Sequence, residues 1–272
     1  MNLYKRDFNK CTVEELSQYD IIRKEESTGR KFGKINLYYK YPEAIRHFQS
    51  LFPNNHIVLF DYKENGVLSK ETTDKAKEFY NLIHNSETKE QHILNFINHS
   101  PAYFIIASIF NAAGFQFGHH DAYIFPEFRL GDKYRADYLL IGKGSGGYEF
   151  VFIELESPNG RIAIKSGDYG EVIRKGLNQL DDWVRWLPSN QTLFFDYFNK
   201  VKGVNIETLP SEFTEFDLSR YHYVVIAGLR QDFDSHEKLR KLKRESFDSN
   251  KKLLHYDNLY DSSMELNERN TF

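Results

Sequence analysis

A mixed β-sheet flanked by helices, of the α/β or α+β class and preceded by a smaller N-terminal region, is the fold this 272-residue sequence predicts. Three observations predict it. From residue 86 onward the apolar pattern runs helix, three strands, helix, strand. The run Gly142-Lys143-Gly144-Ser145-Gly146-Gly147 joins two of those strands as an antiparallel hairpin. The nearly all-apolar stretch 223–228 reads as a strand buried on both faces.

Taken in order, residues 1–85 are polar and turn-rich, with loops expected at 27–33 and 63–66. Within them 42–52 and 72–83 read as amphipathic helices and 57–62 as a strand. Pro42 suits a first helical position, where its missing N–H costs nothing. A helix then starts near Ser86 or Thr88; Thr88 with Gln91 fits a capping box, and Ile93, Leu94 and Ile97 form the apolar stripe. It ends before Pro101. A second helix spans 103–113 and stops at Gly114. Strands follow over 123–128, 134–141 and 148–156. The long helix 170–187 aligns Ile173, Leu177, Leu180, Val184 and Leu187 on one side. After the strand at 223–228 come a charged helix near 236–244 and a short strand and helix. The expected division is a variable region over 1–85 and a sheet domain over 86–272.

Composition narrows the function classes. Basic and acidic residues number 36 and 39, so the formal charge of −3 excludes a binder whose whole surface is basic, though not a local basic groove. The lone Cys11 excludes an internal disulfide and a Cys-based zinc site, and a cytoplasmic setting is expected. Residues 1–10 lack the apolar core of a signal peptide. The apolar part of 103–115 falls short of the ~20 residues that span a bilayer, so no membrane partner is expected.

Acidic residues inside apolar strands carry the chemistry. In Phe150-Val151-Phe152-Ile153-Glu154-Leu155-Glu156, alternation places Glu154 and Glu156 on the face of Phe152. Asp137 interrupts the other strand of the hairpin. With the turn centred on Ser145 and Gly146, Asp137 falls opposite Glu154, Cβ atoms roughly 5 Å apart. Opposed like charges need compensation. A hard cation such as Mg²⁺ is one solution and a structural bridge to Arg135 the other. Glu90 shares the stripe of Ile93, Leu94 and Ile97; it is either a third acid of the cluster or a carboxylate favoured by its place at a helix start.

These residues resemble a known pattern. Asp137, Glu154-Leu155-Glu156, the helical Gln179 and the upstream Glu90 resemble the PD-(D/E)XK restriction-endonuclease-like superfamily. The runs Pro126-Glu127-Phe128-Arg129-Leu130-Gly131, Ala136-Asp137-Tyr138, Ile153-Glu154-Leu155-Glu156-Ser157-Pro158 and Leu177-Asn178-Gln179-Leu180-Asp181-Asp182-Trp183 resemble the C-terminal nuclease domain of Shedu anti-phage defence proteins over residues 86–262. The resemblance implies a restriction-endonuclease-like mixed sheet and Mg²⁺- or Mn²⁺-dependent hydrolysis of DNA by a homo-oligomer. It implies Asp137, Glu154, Glu156 and Gln179 as catalytic residues, with Glu90, Asp137 and Glu154 holding metal. The departure is Glu156, where the superfamily carries Lys. Lys165 is the candidate for the displaced cation, and Glu156 then serves a second metal or acts as general base. Two rival readings follow from Glu156 and the acids: a catalytically inert nucleic-acid-binding or regulatory module, and an interaction protein with a structural acid cluster.

Other signals are weaker. His119-His120-Asp121 reads as a loop, because adjacent histidines point apart. The glycine run lacks the Lys-Ser/Thr ending of a phosphate loop. Trp183 and Trp186 read as core or interface residues rather than base-stacking ones. Arg161, Lys165 and Lys175, with Arg174, form a basic group near the acids suited to DNA phosphates. The segment 235–252 has a second excess of base, read as a solvated helix or a phosphate contact.

Overall fold

The computed structural model describes residues 3–28 and 34–272, so most of the loop expected at 27–33 lies outside the described residues. The chain begins with α1 (Val13–Ser27), α2 (Lys34–Lys40) and α3 (Pro42–Gln49), with Pro42 in the first turn as anticipated. The expected strand at 57–62 does not form. Ile57 donates one backbone bond to Ala122, and Leu59–Tyr62 closes a 3₁₀ turn, because the chain must reverse into the hairpin that follows. That hairpin, β1 (Lys63–Glu64) and β2 (Val67–Leu68), turns on Asn65 and Gly66 at φ 52° and 84°. Positive φ at both positions is the type I′ geometry that matches strand twist.

Next come α4 (Lys70–Ile83), capped by the Ser69 side chain, and α5 (Glu90–His99). The Thr88 hydroxyl bonds the Leu82 carbonyl instead of capping α5; Lys89 takes the cap position. The helix expected over 103–113 is two, α6 (Tyr103–Ala107) and α7 (Ile109–Ala112). Ser108 separates them, its hydroxyl bonding the carbonyls of Ile105 and Leu259, and such back-bonding bends helices. No single helix among the described residues is long and apolar enough to cross a membrane. The remaining elements are β3 (Asp121–Leu130), β4 (Tyr134–Gly144), β5 (Gly147–Leu155), α8 (Glu171–Trp186), α9 (Gln191–Val201), α10 (Ser211–Thr214), β6 (Tyr221–Ile226), α11 (Arg230–Asp234), α12 (Glu237–Ser246), β7 (Lys251–Leu254) and α13 (Tyr256–Glu265).

The chain forms two compact units. One holds Ile57–Gln191 with Phe216–Phe272; the other holds the N-terminal segment through His56 with Thr192–Glu215. The division expected at residue 85 therefore falls elsewhere. α4 packs on α13 in the sheet unit, with Tyr80 and Tyr260 centroids 4.7 Å apart, which ties 57–85 to the sheet. In the other unit Phe52 meets Phe198 and Phe213 at 5.1 and 5.4 Å, so 192–215 completes the core of the N-terminal segment.

The five-stranded sheet runs β3-β4-β5-β6-β7, antiparallel through β5 and parallel from β5 to β7, which is the mixed sheet expected. The β4–β5 register is the anticipated one, from Gly144↔Gly147 to Tyr138↔Ile153. α8 crosses over between parallel β5 and β6, and Gly176 sets how close it lies. A Cβ there would sit 2.8 Å from Val225 Cγ1 and 3.1 Å from Glu156 Cγ. Gly176→Ala is expected to push α8 off the sheet and cost ~1–3 kcal/mol. Denaturant unfolding measures it; a wild-type midpoint would mean the helix is not held this closely.

Candidate active site: an acid cluster at the end of the central hairpin

The β4–β5 ladder stops one residue short of the Asp137–Glu154 position. There the Leu155 N–H donates to Asp137 Oδ2 at 2.7 Å, so a side chain takes over from the backbone ladder. β5 continues to be held on its other edge: the Glu156 N–H donates to the Ile226 carbonyl at 2.8 Å, and the Tyr256 hydroxyl donates to the Glu156 carbonyl at 2.6 Å. The segment is thus held at Leu155 by the Asp137 carboxylate and at Glu156 by bonds to both its N–H and its carbonyl. Across from Asp137 on the β3 side, Glu127 has φ 50°, a left-handed conformation that costs about 1–3 kcal/mol for a non-glycine residue.

Asp137, Glu154 and Glu156 are 9%, 3% and 2% exposed, which is rare for carboxylates without paired charges. Glu154 Oε2 and Glu156 Oε1 have no hydrogen-bond partner, and neither does the buried Gln179 Oε1. Burial is the main force on all three acids, pushing the Asp137 carboxyl up to about 7 and the Glu154 carboxyl up to about 9. Neighbouring charges add to it: Glu90 and Glu156 act on Asp137, and Asp137, Glu156 and Glu90 act on Glu154. Burial also raises Glu156, against an opposing hydrogen bond from Lys175.

Lys175 is the cation of the cluster. From the second turn of α8 its Nζ reaches Glu156 Oε2 at 2.8 Å and Glu90 Oε2 at 3.4 Å. Burial pulls its pKa down, but the bond to Glu156 and the charges of Glu156 and Glu90 outweigh that and raise it. Glu90 stands half-buried at the first residue of α5, so the structure brings it to Glu156 through Lys175. Gln179, one turn beyond Lys175, lines a groove of about 570 Å³ along α8 with Arg174, Lys175 and Asn178 and the carboxylates of Glu171 and Asp182.

Several expected roles change. Arg135 pairs with Glu127 at 3.0 Å and does not bridge the strand acids. No bond or ion pair joins the exposed Lys165 to the acids, so Lys175, not Lys165, stands against Glu156. Lys175, expected on DNA phosphates, is engaged by two carboxylates. Arg161 stays exposed on the loop before α8. Trp183 is core, packed beside Phe152 at 6.4 Å, while Trp186 is half-buried. The sequence signal for Lys175 was available: it lies four residues before Gln179, on the same helical face.

The donor set is oxygen throughout, and three of its buried oxygens lack partners, which suits a hard dication. Among the described residues, no three His, Cys, Asp or Glu side chains are grouped so as to hold a metal ion; Lys175 stands between two of the acids.

Comparison with known proteins follows the same residues. The family described as "Shedu protein SduA, C-terminal" matches residues 87–260, a span that includes every acid of the cluster, Lys175 and Gln179. The chain belongs to that family. Membership bears out the resemblance to Shedu C-terminal domains drawn from the motif residues. No curated protein matches the chain. Among solved structures, restriction endonuclease FokI bound to DNA is similar at 14% identity and TM-score 0.33, over 75% of this chain. The chain spans 30% of that FokI chain.

The raised carboxyls give the metal-free Shedu domain a pH signature. Asp137 and Glu154 hold protons in the folded state that their unfolded counterparts release near the ordinary values of 3.8 and 4.5. Stability is therefore expected to fall as pH rises from about 4 towards about 9. Asp137→Asn with Glu154→Gln should flatten that slope and raise the melting midpoint at about pH 8. Thermal melts without divalent metal test this; an unchanged slope would mean the carboxyls ionise normally.

Proposed function

We propose that this chain is a divalent-metal-dependent DNA endonuclease of anti-phage defence that works as a homo-oligomer. The observation that carries the reading is the cluster itself: three buried carboxylates at the end of a clamped strand, two of them (Glu154 and Glu156) with an unpartnered oxygen, and one lysine against Glu156. Asp137 and Glu154 would hold Mg²⁺ or Mn²⁺, with Glu90 nearby. Bound there, the ion supplies positive charge for the scissile phosphate and acidifies the attacking water.

The chain's own residues do the rest. The Leu155 N–H orients Asp137, and the backbone bonds at Glu156 hold the motif strand still. Glu156 Oε1, which accepts no hydrogen bond, is the oxygen that would take the proton from water, and burial raises the proton affinity of its carboxyl. Lys175, released from Glu90, offsets charge growing on the phosphate. The groove along α8 leaves room for the phosphodiester track, with Gln179 at its wall and Arg174 beside it. Arg161 and Lys165 extend the basic track for flanking phosphates.

A second reading, an inert nucleic-acid-binding module, is favoured by the 2.8 Å pair of Glu156 with Lys175, which neutralises this part of the cluster internally. Cleavage assays separate the two. Asp137→Ala and Glu154→Ala are each expected to abolish Mg²⁺-dependent cleavage of plasmid DNA while leaving the fold intact, and persistent cleavage by the double variant sinks the site. Lys175→Met is expected to lower the cleavage rate at least about 100-fold, the scale of one positioned charge, with DNA affinity changed much less. If wild-type protein binds DNA but neither binds Mn²⁺ nor cleaves, the inert module is correct.

A further inference from the structure

A second charged cavity lies away from the acid cluster, in the same unit. Its volume is about 630 Å³, within the range of small-molecule sites, and α11, α12 and His255 enclose it. The cations of α12 divide by side. Lys238 pairs with Asp168 at 2.6 Å and Lys241 with Glu245 at 3.7 Å. Arg240, Lys243 and Arg244 line the cavity, and among the described residues no carboxylate pairs with any of them. The spacing of 240, 243 and 244 puts the three on one helical face.

Lys243 is the central group. Its ammonium stands 5.9 Å from the ring centroids of both Phe233 and Phe247, half-buried between them. A desolvated cation without a counter-ion is costly unless an anion arrives. Burial, with the nearby Arg230 charge, already lowers its pKa, while Asp234 pulls the other way. Asp234 and Glu237 also line the cavity, as exposed as Arg240 and Arg244, so its lining carries three cations against two carboxylates.

His255 completes the pocket. It is 5% exposed, and its Nδ1 has no hydrogen-bond partner; the nearest carboxylate oxygen, of Asp257, is 3.6 Å away. Burial, then the charges of Lys243 and Arg230, push its pKa down to about 3, so the ring is neutral and can hydrogen-bond without adding charge. Phe247, half-buried at the wall, is an aromatic ring among cations, with the Lys243 and Lys252 ammoniums 5.9 and 5.3 Å from its centroid. Unpaired cations, a ring to stack on and an unsatisfied imidazole nitrogen together fit a phosphate joined to a planar heterocycle.

We propose that this cavity is a nucleotide-binding site, with Lys243, Arg240 and Arg244 on the phosphate and Phe247 and His255 beside the base. The same chemistry reaches it from a free nucleotide or from a nucleotide within a single strand. The site shares no residue with the acid cluster, so it stands or falls separately from nuclease activity. The test uses the full chain and calorimetric titration with inorganic phosphate, AMP and a short oligothymidylate. AMP or the oligonucleotide is expected to bind more tightly than phosphate. Lys243→Met, which keeps packing between the two rings, should weaken that binding about tenfold or more, with a melting midpoint no lower than that of the wild type. Arg244→Ala, at the solvent-exposed rim of the cavity, should weaken it without any folding risk. Binding of AMP identifies a free nucleotide as the ligand, and binding of the oligonucleotide alone identifies a strand. Absence of binding by all three probes, or affinities that neither substitution changes, overturns the proposal.

Discussion

Three carboxylates in a nearly water-free pocket cannot all stay ionised without positive charge beside them, and the arrangement of the sheet unit follows from that electrostatic demand. Asp137, Glu154 and Glu156 come from two adjacent strands, so their separation is set by strand spacing and cannot relax. Protons, a dication or a lysine are the available remedies. The fold supplies the lysine from α8, and it supplies unpartnered oxygens that leave the others open.

The rest of the unit holds that cluster still. β6, parallel to both neighbours and buried over nearly its whole length, backs β5 and carries its hydrogen bonding one residue past the strand end. α13 sends the buried Tyr256 hydroxyl to the Glu156 carbonyl. Gly176 lets α8 approach to the contact distance at which Lys175 meets Glu156. Each device fixes backbone rather than side chain, which leaves the carboxylate oxygens free for chemistry. The left-handed Glu127 fits the same picture, since strain of this kind persists where the surrounding structure holds it.

The two basic regions noted in the sequence have different fates. Lys175 is drawn into the acid cluster, whereas on the cavity side of α12 no carboxylate among the described residues pairs with Arg240, Lys243 or Arg244. The near-neutral net charge is therefore an average over an acidic site and separate basic surfaces, and describes neither.

Much of this was legible from residues alone. Strand alternation and the glycine turn determined the β4–β5 register, because a turn of that length permits only one pairing that keeps both apolar faces inward. That register placed Asp137 opposite the Glu154 position, and the local motifs were sufficient to identify the Shedu family. Local pattern failed where distant residues decide. The strand expected at 57–62 and the single helix at 103–113 gave way to a reversal into a hairpin and to a serine bonded to Leu259. The domain break moved because α4 packs on α13 and 192–215 on Phe52, contacts with no trace in composition. Which cation meets Glu156 was likewise beyond sequence distance: Lys165 is nearer along the chain, yet only helix α8, turned so that Gly176 faces the sheet, carries a lysine to the carboxylate. Sequence determines periodicity and register because they depend on neighbours a few residues away; tertiary packing decides which charges meet.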